Sequence, residues 1–414
     1  MQKKITADVL SNQTTVSIHE TLHQPKIRIQ SIDILRGMVM LIMALDHARD
    51  YFHLHAWDDS PTNLATTTPA LFFTRWITHF CAPTFLFLSG ISAFLSGQKK
   101  SKKELSTFLL KRGLWLVLVE IVVITLGWTF NPLYNVIILQ VIWAIGWSMI
   151  ILGLLVRTNM TVIIITGCIL FFGHNILDYI NLPKEGAANV AWNIFFTSPL
   201  TFFSYAPQRV IGDIYAILPW TSVMLLGYGF GYFYRSSYDA LERKKILLWS
   251  GLGITALFIV LRFINQYGDP APWSKQKDSI YTFLSFLNTT KYPPSLIYFC
   301  MTLGPTLILL VFIEHTQNKF TNILKTYGRV PFFYYVIHIY LLHFIGFMFF
   351  FAYGYGINQA ADTNVPFLFR PLHFGFDLWG VYAVWLFVIV ILYWPCKWFN
   401  RYKTTHHQWW LSYV

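Results

Sequence analysis

Apolar runs of about twenty residues, the length that crosses a bilayer as a helix, recur ten times along the chain. They lie at roughly 32–54, 70–96, 113–131, 136–156, 160–180, 214–234, 246–265, 294–314, 330–353 and 376–396. Between them alternate short basic stretches and three long segments, 181–213, 266–293 and 354–375, rich in aromatic residues, Pro and Asn. The pattern predicts an all-α integral membrane protein, a bundle of about ten transmembrane helices. These form a single domain over 28–400, between a disordered polar tail at 1–27 and a second tail at 401–414. Pro83, Pro219 and Pro305 fall inside predicted spans and are expected to kink them.

Composition strengthens this picture. Only 12% of the 414 residues are charged and 55% are hydrophobic, whereas a soluble domain has about 25% charged residues. The net charge of +12 raises the question of nucleic acid, but the basic residues sit between apolar runs. With the N-terminus inside, 21 of the 31 lysines and arginines fall in inside segments and 6 in outside loops. Arg36, Arg49, Arg75 and Arg262 lie within spans. This asymmetry predicts both termini in the cytoplasm and no nucleic-acid partner. The long loops then lie outside, where they are expected to cover a site. No cleavable signal is expected, because the first thirty residues lack an apolar core. Cys81, Cys168, Cys300 and Cys396 form no C-x-x-C pair and read as packing residues. The dipeptide His406–His407 reads as solvated. No cluster has metal-ligand spacing, and no phosphate loop, dinucleotide glycine pattern, G-x-S-x-G or H-E-x-x-H occurs.

The first span, "SIDILRGMVMLIMALDHARDYF", carries six ionisable groups. Such groups are costly at membrane depth and usually face a cavity or a partner. Arg36 and His47 are eleven residues apart, three helical turns, so they share one face about 16 Å apart along the axis. Asp50, three residues after His47, can neighbour it; Asp46 points to another side. Asp33 and Arg36 are placed for an i,i+3 ion pair. Arg75 and His79 share a face of the second span at the depth of His47. Asp213, His174, Asp178, Arg262, Asp377, His338 and His343 fall in the same outer half. Arg36, Lys111, Arg112 and Arg329 mark the inner edge. The set suggests a polar path across the membrane; the plainer alternative is that Arg36 snorkels to the interface and His47 makes a polar packing contact.

Several stretches resemble a known group. "SIDILRG" followed by "ALDH" resembles the first helix of transmembrane acyltransferases. These include the type-three membrane acyltransferases and the heparan-alpha-glucosaminide N-acetyltransferase family. "APTFLFLSGISAFLSG" (82–97) is similar to their second helix, and "FLLKRGLWL" (108–116) to the basic entry of their third. "DIYAILPW" (213–220), "TTKYPPSLIYFCMTLGP" (289–305) and "YGRVPFFYYVIHIYLLH" (327–343) resemble the bacterial glucosaminide-acetyltransferase-like branch. The resemblance implies a multi-pass protein of the bacterial cytoplasmic (inner) membrane. It would take an acyl group from cytoplasmic acetyl-CoA or another acyl-CoA, without a metal. It would pass that group to an amine or hydroxyl of a sugar or glycan acceptor at the outer face. His47 stands where the type-three family has its catalytic histidine and Arg36 where it has the partner arginine.

On that reading Arg36, Lys111 and Arg112 meet the CoA phosphates, which suit arginine. His47 acts as general base or transient acyl carrier, and Asp46 or Asp50 orients its ring. Arg75 and His79 steady the thioester oxyanion or the sugar. The rival reading is a transporter or flippase, which predicts related halves with broken helices; no such halves are visible. A purely structural membrane partner leaves the Arg36–His47 alignment without a purpose.

Overall fold

The computed structural model describes residues 29–180, 185–406 and 408–412. The tail expected at 1–27, Lys184 and His407 lie outside them. Each of the ten apolar segments contains helix. In chain order the helices are α1 (Gln30–Phe52), α2 (Pro69–Thr78), α3 (Cys81–Gly97), α4 (Lys102–Val119), α5 (Thr125–Thr129) and α6 (Val141–Leu155). They continue with α7 (Met160–Gly173), α8 (Ala187–Trp192), α9 (Ile217–Phe230), α10 (Ala240–Ile264) and α11 (Ser279–Leu287). The last five are α12 (Leu296–Ile313), α13 (Lys319–Arg329), α14 (Pro331–Ala352), α15 (Leu378–Ile391) and α16 (Tyr393–Thr405).

Among the described residues six helical stretches are long and apolar enough to cross a membrane: Pro69–Gly97, Met160–Tyr179, Ala240–Ile264, Leu296–Ile313, Pro331–Ala352 and Leu378–Thr405. The charged α1 is not among them, and α6 is apolar but short. Polar residues at the ends set several boundaries. Ser101 and Glu104 close a reciprocal capping box on α4, and Ser295 and Asp377 accept from the first-turn amides of α12 and α15.

The chain is mostly helical but not all-α. A three-stranded sheet joins β1 (Val136–Leu139), β2 (Thr201–Ala206) and β3 (Arg209–Asp213) in the order β1-β3-β2. β1 runs parallel to β3, pairing Val136 with Val210 and Leu139 with Asp213; β2 returns antiparallel. β1 therefore occupies the start of the fourth predicted span. A short apolar run such as "VIIL" has no periodicity that separates strand from helix. The helix behind it, α6, has 15 residues. Its N-terminus is capped from a neighbouring element: buried Glu120 accepts from the Gln140 and Trp143 amides at 3.1 and 3.0 Å.

The prolines also need a correction. Pro219 sits at the third position of α9, inside the first turn, where no intrahelical N–H bond is lost. Pro83 follows the break between α2 and α3 within Pro69–Gly97, where the His79 carbonyl lacks its helical donor and Tyr298 Oη donates to it at 2.8 Å. Only Pro305 lies in a helix interior, that of α12.

Helices approach closely where glycines face backbone. A Cβ on Gly37 of α1 would lie 1.9 Å from the Leu324 carbonyl oxygen of α13. A Cβ on Gly328 would lie 1.8 Å from that of Asp33. Gly90 and Gly227 play the same part between α3 and α9. Such small-residue contacts are how membrane helices gain packing without a hydrophobic drive between them.

Much of the expected polar path is loop anchoring instead. Arg262 donates to the carbonyls of Phe286, Ala271, Ser285 and Asn288 at 2.7–2.9 Å, holding segment 266–293. Asp269 accepts from Thr290 in the same segment and from Ser295, the cap of α12. His174 lies between the Leu170 and Pro294 carbonyls, and Asp178 accepts from Asn175. His343 bonds the Gly127 and Leu368 carbonyls. Buried backbone carbonyls need donors, and Arg262, His174 and His343 supply them. At the other end Asp33 pairs with Arg36 at 3.5 Å, as its spacing predicts, and with Arg329 at 3.6 Å.

Candidate active site

The last two turns of α1 carry Asp46, His47, Arg49 and Asp50, all facing protein. Asp46 sits between two guanidinium groups: it pairs directly with Arg75 of α2 and lies 3.4 Å from Arg49. Arg49 bonds Asp50 at 2.5 Å. The two carboxylates are thus committed to arginines. Among the described residues neither bonds the His47 ring, contrary to the expectation that one of them orients it.

His338 of α14 holds that ring instead. Nδ1 of His47 lies 2.7 Å from Nε2 of His338, and Nδ1 of His338 lies 3.0 Å from the Tyr334 carbonyl oxygen. A carbonyl only accepts, so Nδ1 of His338 carries a proton. In the neutral ring its Nε2 is then an acceptor, and His47 must donate from Nδ1. That leaves Nε2 of neutral His47 with its lone pair free. The two rings are nearly coplanar, their centres 5.0 Å apart across that hydrogen bond, and Trp128 meets His47 edge to face at 4.7 Å.

His47 opens onto a cavity of about 360 Å³. Its polar wall is Asp46, Arg49, Asp50, Arg75 and Lys291; its apolar wall includes Met43, Trp128 and Phe367. All three long segments contribute: Leu200 and Phe202 from the first, Lys291 and Tyr292 from the second, Pro366 and Phe367 from the third. A second hollow of about 610 Å³ shares Arg49, Trp57, Arg75, Lys291 and Tyr292 with the first and extends to exposed Asp59 and Ser60.

The other sequence-predicted residues divide. Asp46, His47, Asp50 and Arg75 are brought together on the first cavity. His79 borders only the second of these hollows. α2 ends at Thr78, so His79 turns into the break before α3, where its Nδ1 has no hydrogen-bond partner among the described residues. Arg36 bonds Ser92 Oγ at 2.8 Å and the Gly328 carbonyl at 3.3 Å. Lys111 is exposed on α4 and Arg112 half-buried beside it. None of these three borders either hollow.

Lys291 was counted in the sequence only as a loop charge. It is 8% exposed, and its ammonium lies 5.0 Å from the Tyr292 ring centre; among the described residues no carboxylate is in ion-pair range. Burial raises the Tyr292 phenol, but the Lys291 and Arg75 cations outweigh burial and hold it below its usual value. Lys291 stands inside the quoted stretch "TTKYPPSL", which was its only signal in the sequence. His338 was visible as a buried-span histidine, but its pairing with a residue 291 positions away was not.

The model of the family described as heparan-alpha-glucosaminide N-acetyltransferase, catalytic, matches residues 28–264. The chain belongs to this family. It is therefore a membrane protein of the acetyltransferase type, and the transporter reading loses its ground. The match takes in α1 to α10, with Arg36, His47, Arg75 and His79, and stops before Lys291 and His338. No curated protein matches the chain.

Proposed function

We propose that this acetyltransferase moves an acyl group, acetyl by preference, from cytoplasmic acyl-CoA to an amine or hydroxyl of a sugar or glycan at the loop-bearing face. The observation that carries the reading is the relay from the Tyr334 carbonyl through His338 to His47, which presents a free imidazole lone pair to a cavity. Nε2 of His47 takes the proton as the acceptor attacks the thioester carbonyl. The new C–N or C–O bond forms, the C–S bond breaks, and the imidazolium returns the proton to the leaving CoA sulfur. Arg75 and Lys291 offer positive charge to the oxyanion. Asp46, held by two arginines, keeps Arg75 in place. His79 meets the acceptor in the outer hollow, and Asp50 fixes Arg49.

The donor's phosphates would meet Arg36, Lys111 and Arg112. This assignment goes with a ten-span domain over 28–400, tails at 1–27 and 401–414, both termini cytoplasmic, and residence in a bacterial inner membrane. The test is acyl transfer by purified protein from isotope-labelled acetyl-CoA, with glycan mass spectrometry of cells with and without the gene to find the acceptor. Labelled product that depends on His47 is expected; full transfer by a folded His47→Ala protein sinks the assignment.

A further inference from the structure

Outside the cavity, two imidazoles and a carboxylate converge on the loop-bearing face. His55 and Asp58 belong to the segment after α1. His373, 315 positions beyond Asp58, belongs to the segment before α15. Nδ1 of His55 lies 2.7 Å from Oδ2 of Asp58, and Nε2 of His373 lies 3.0 Å from Oδ1. The ligand atoms of all three fall within 4.8 Å of one another, with the imidazole centres 5.9 Å apart.

We propose that His55, Asp58 and His373 bind one divalent transition-metal ion of the zinc type, which ties segment 53–68 to segment 354–377. The donor chemistry fits: two neutral imidazoles and one carboxylate suit zinc, cobalt, nickel or copper, whereas calcium and magnesium prefer all-oxygen shells. The geometry fits as well. Ligand distances of about 2.0–2.2 Å in a tetrahedral centre place neighbouring ligand atoms roughly 3.3 Å apart. The present N···O separations are a few tenths of an ångström shorter than that. His55 and His373 have side chains 63% and 59% exposed, so their tips can open by that much without backbone movement. The exposed fourth position is left to water.

The backbone already brings the two segments together. The Leu54 amide donates to the Phe376 carbonyl and the Phe376 amide to the Phe52 carbonyl, at 2.8 and 2.7 Å. His373 has φ 56°, a left-handed conformation uncommon for a residue with a Cβ, and it presents the ring to Asp58. The ion would clasp two walls of the cavity described above. Trp57, adjacent to Asp58, meets Phe367 of the other segment edge to face at 5.1 Å. Spacing along the chain could not reveal such a site, since one ligand lies so far from the other two.

The claim is independent of the chemistry assigned to His47. Its test uses the full chain in detergent, with any affinity tag removed and bound metal stripped by chelator. Titration with zinc chloride is expected to give one ion per chain and a higher thermal midpoint. Cobalt(II) is expected to give visible d–d absorption of a nitrogen–oxygen centre. Both signals should vanish in His55→Ala/His373→Ala. Undiminished zinc uptake and cobalt absorption in the folded double variant overturn the proposal. If that variant does not fold, the wild-type titration decides: no stoichiometric uptake overturns it equally.

Discussion

At the scale of single residues, the decisive arrangement is a fixed tautomer. His338 spends its Nδ1 proton on a carbonyl and so obliges His47 to present Nε2 to the cavity. Replacing His47 by Ala is expected to lower kcat by about 10²–10⁴-fold, the usual worth of a general base. His338→Ala is expected to lower kcat with KM nearly unchanged and to shift the pH–rate profile, because His47 survives with its tautomer no longer imposed. An unchanged profile would assign His338 a packing role only. The buried ion pairs give a different signature. Asp46→Asn leaves Arg75 and Arg49 facing one another, and breaking such a pair costs about 3–5 kcal/mol. The thermal midpoint should fall with it, and Asp46→Asn/Arg75→Met should recover part of the loss. Local rules made the Asp33–Arg36 pair legible in the sequence, since helix geometry alone brings i and i+3 together. The same rules did not reveal the His47–His338 contact, which exists only once α14 packs on α1.

At the scale of elements, glycines mark where backbone meets backbone. Gly328→Ala is expected to destabilise the protein by roughly 1–3 kcal/mol, the cost of overpacking, read as a lower thermal midpoint in detergent. Gly253→Ala in α10 is the control. A Cβ there meets nothing within 4 Å, so the midpoint should hold or rise. The sheet carries a pH-dependent element. Asp213, fully buried at the end of β3, has its carboxyl pushed up to about 7 by burial. The folded protein therefore binds this proton more tightly than the unfolded chain. That contribution is complete below the unfolded value of 3.8 and is lost as the pH rises through about 7. Asp213→Asn should leave the midpoint nearly unchanged at pH 4 and raise it at pH 8, by the equivalent of roughly 2–4 kcal/mol; an equal effect at both pH values would refute this. Helix within each of the ten apolar segments was legible because long apolar runs admit little else. β1 was not, because four apolar residues ahead of a helix read the same in either conformation. His79 was placed with Arg75 by counting turns, and both line the second hollow, although α2 ends at Thr78 and His79 does not border the first cavity.

At the scale of the molecule, the burial pattern separates inner from outer helices. The apolar windows of α10 and of the stretch 378–405 are each only 22% buried, while that of α12 is 72% buried. Exposed Trp249, Phe263, Leu386 and Val390 on the former two form the surface that lipid would cover. Three of the four cysteines are buried, which makes labelling of engineered cysteines practicable. If both termini are cytoplasmic, Ser60→Cys should react with a membrane-impermeant maleimide on intact cells or spheroplasts. Lys103→Cys should react only after permeabilisation. The reverse pattern would invert the bundle and move the candidate site to the cytoplasmic side. The charge asymmetry of the loops was the whole basis for this orientation in the sequence. The convergence of all three long segments on one cavity was not legible, because nothing in their composition says where they fold.

The short helix α6 has an electrical consequence. Fifteen residues rise about 22 Å, against a hydrocarbon layer of about 30 Å. Were α6 to span that layer, the remaining 8 Å or so would fall to β1 and the cavity beside it. Non-helical backbone at such depth is sustained where it is buried in protein or borders water, and here β3 and Glu120 provide for it. On the ten-span reading, a charge arriving at the cavity from the loop-bearing side would cross only about a quarter of the layer. Moving an elementary charge through the full layer is worth about 2.3 kcal/mol per 100 mV, so this partial passage is worth roughly 0.6 kcal/mol. A cationic acceptor would then reach the cavity with little sensitivity to the voltage that the membrane sustains.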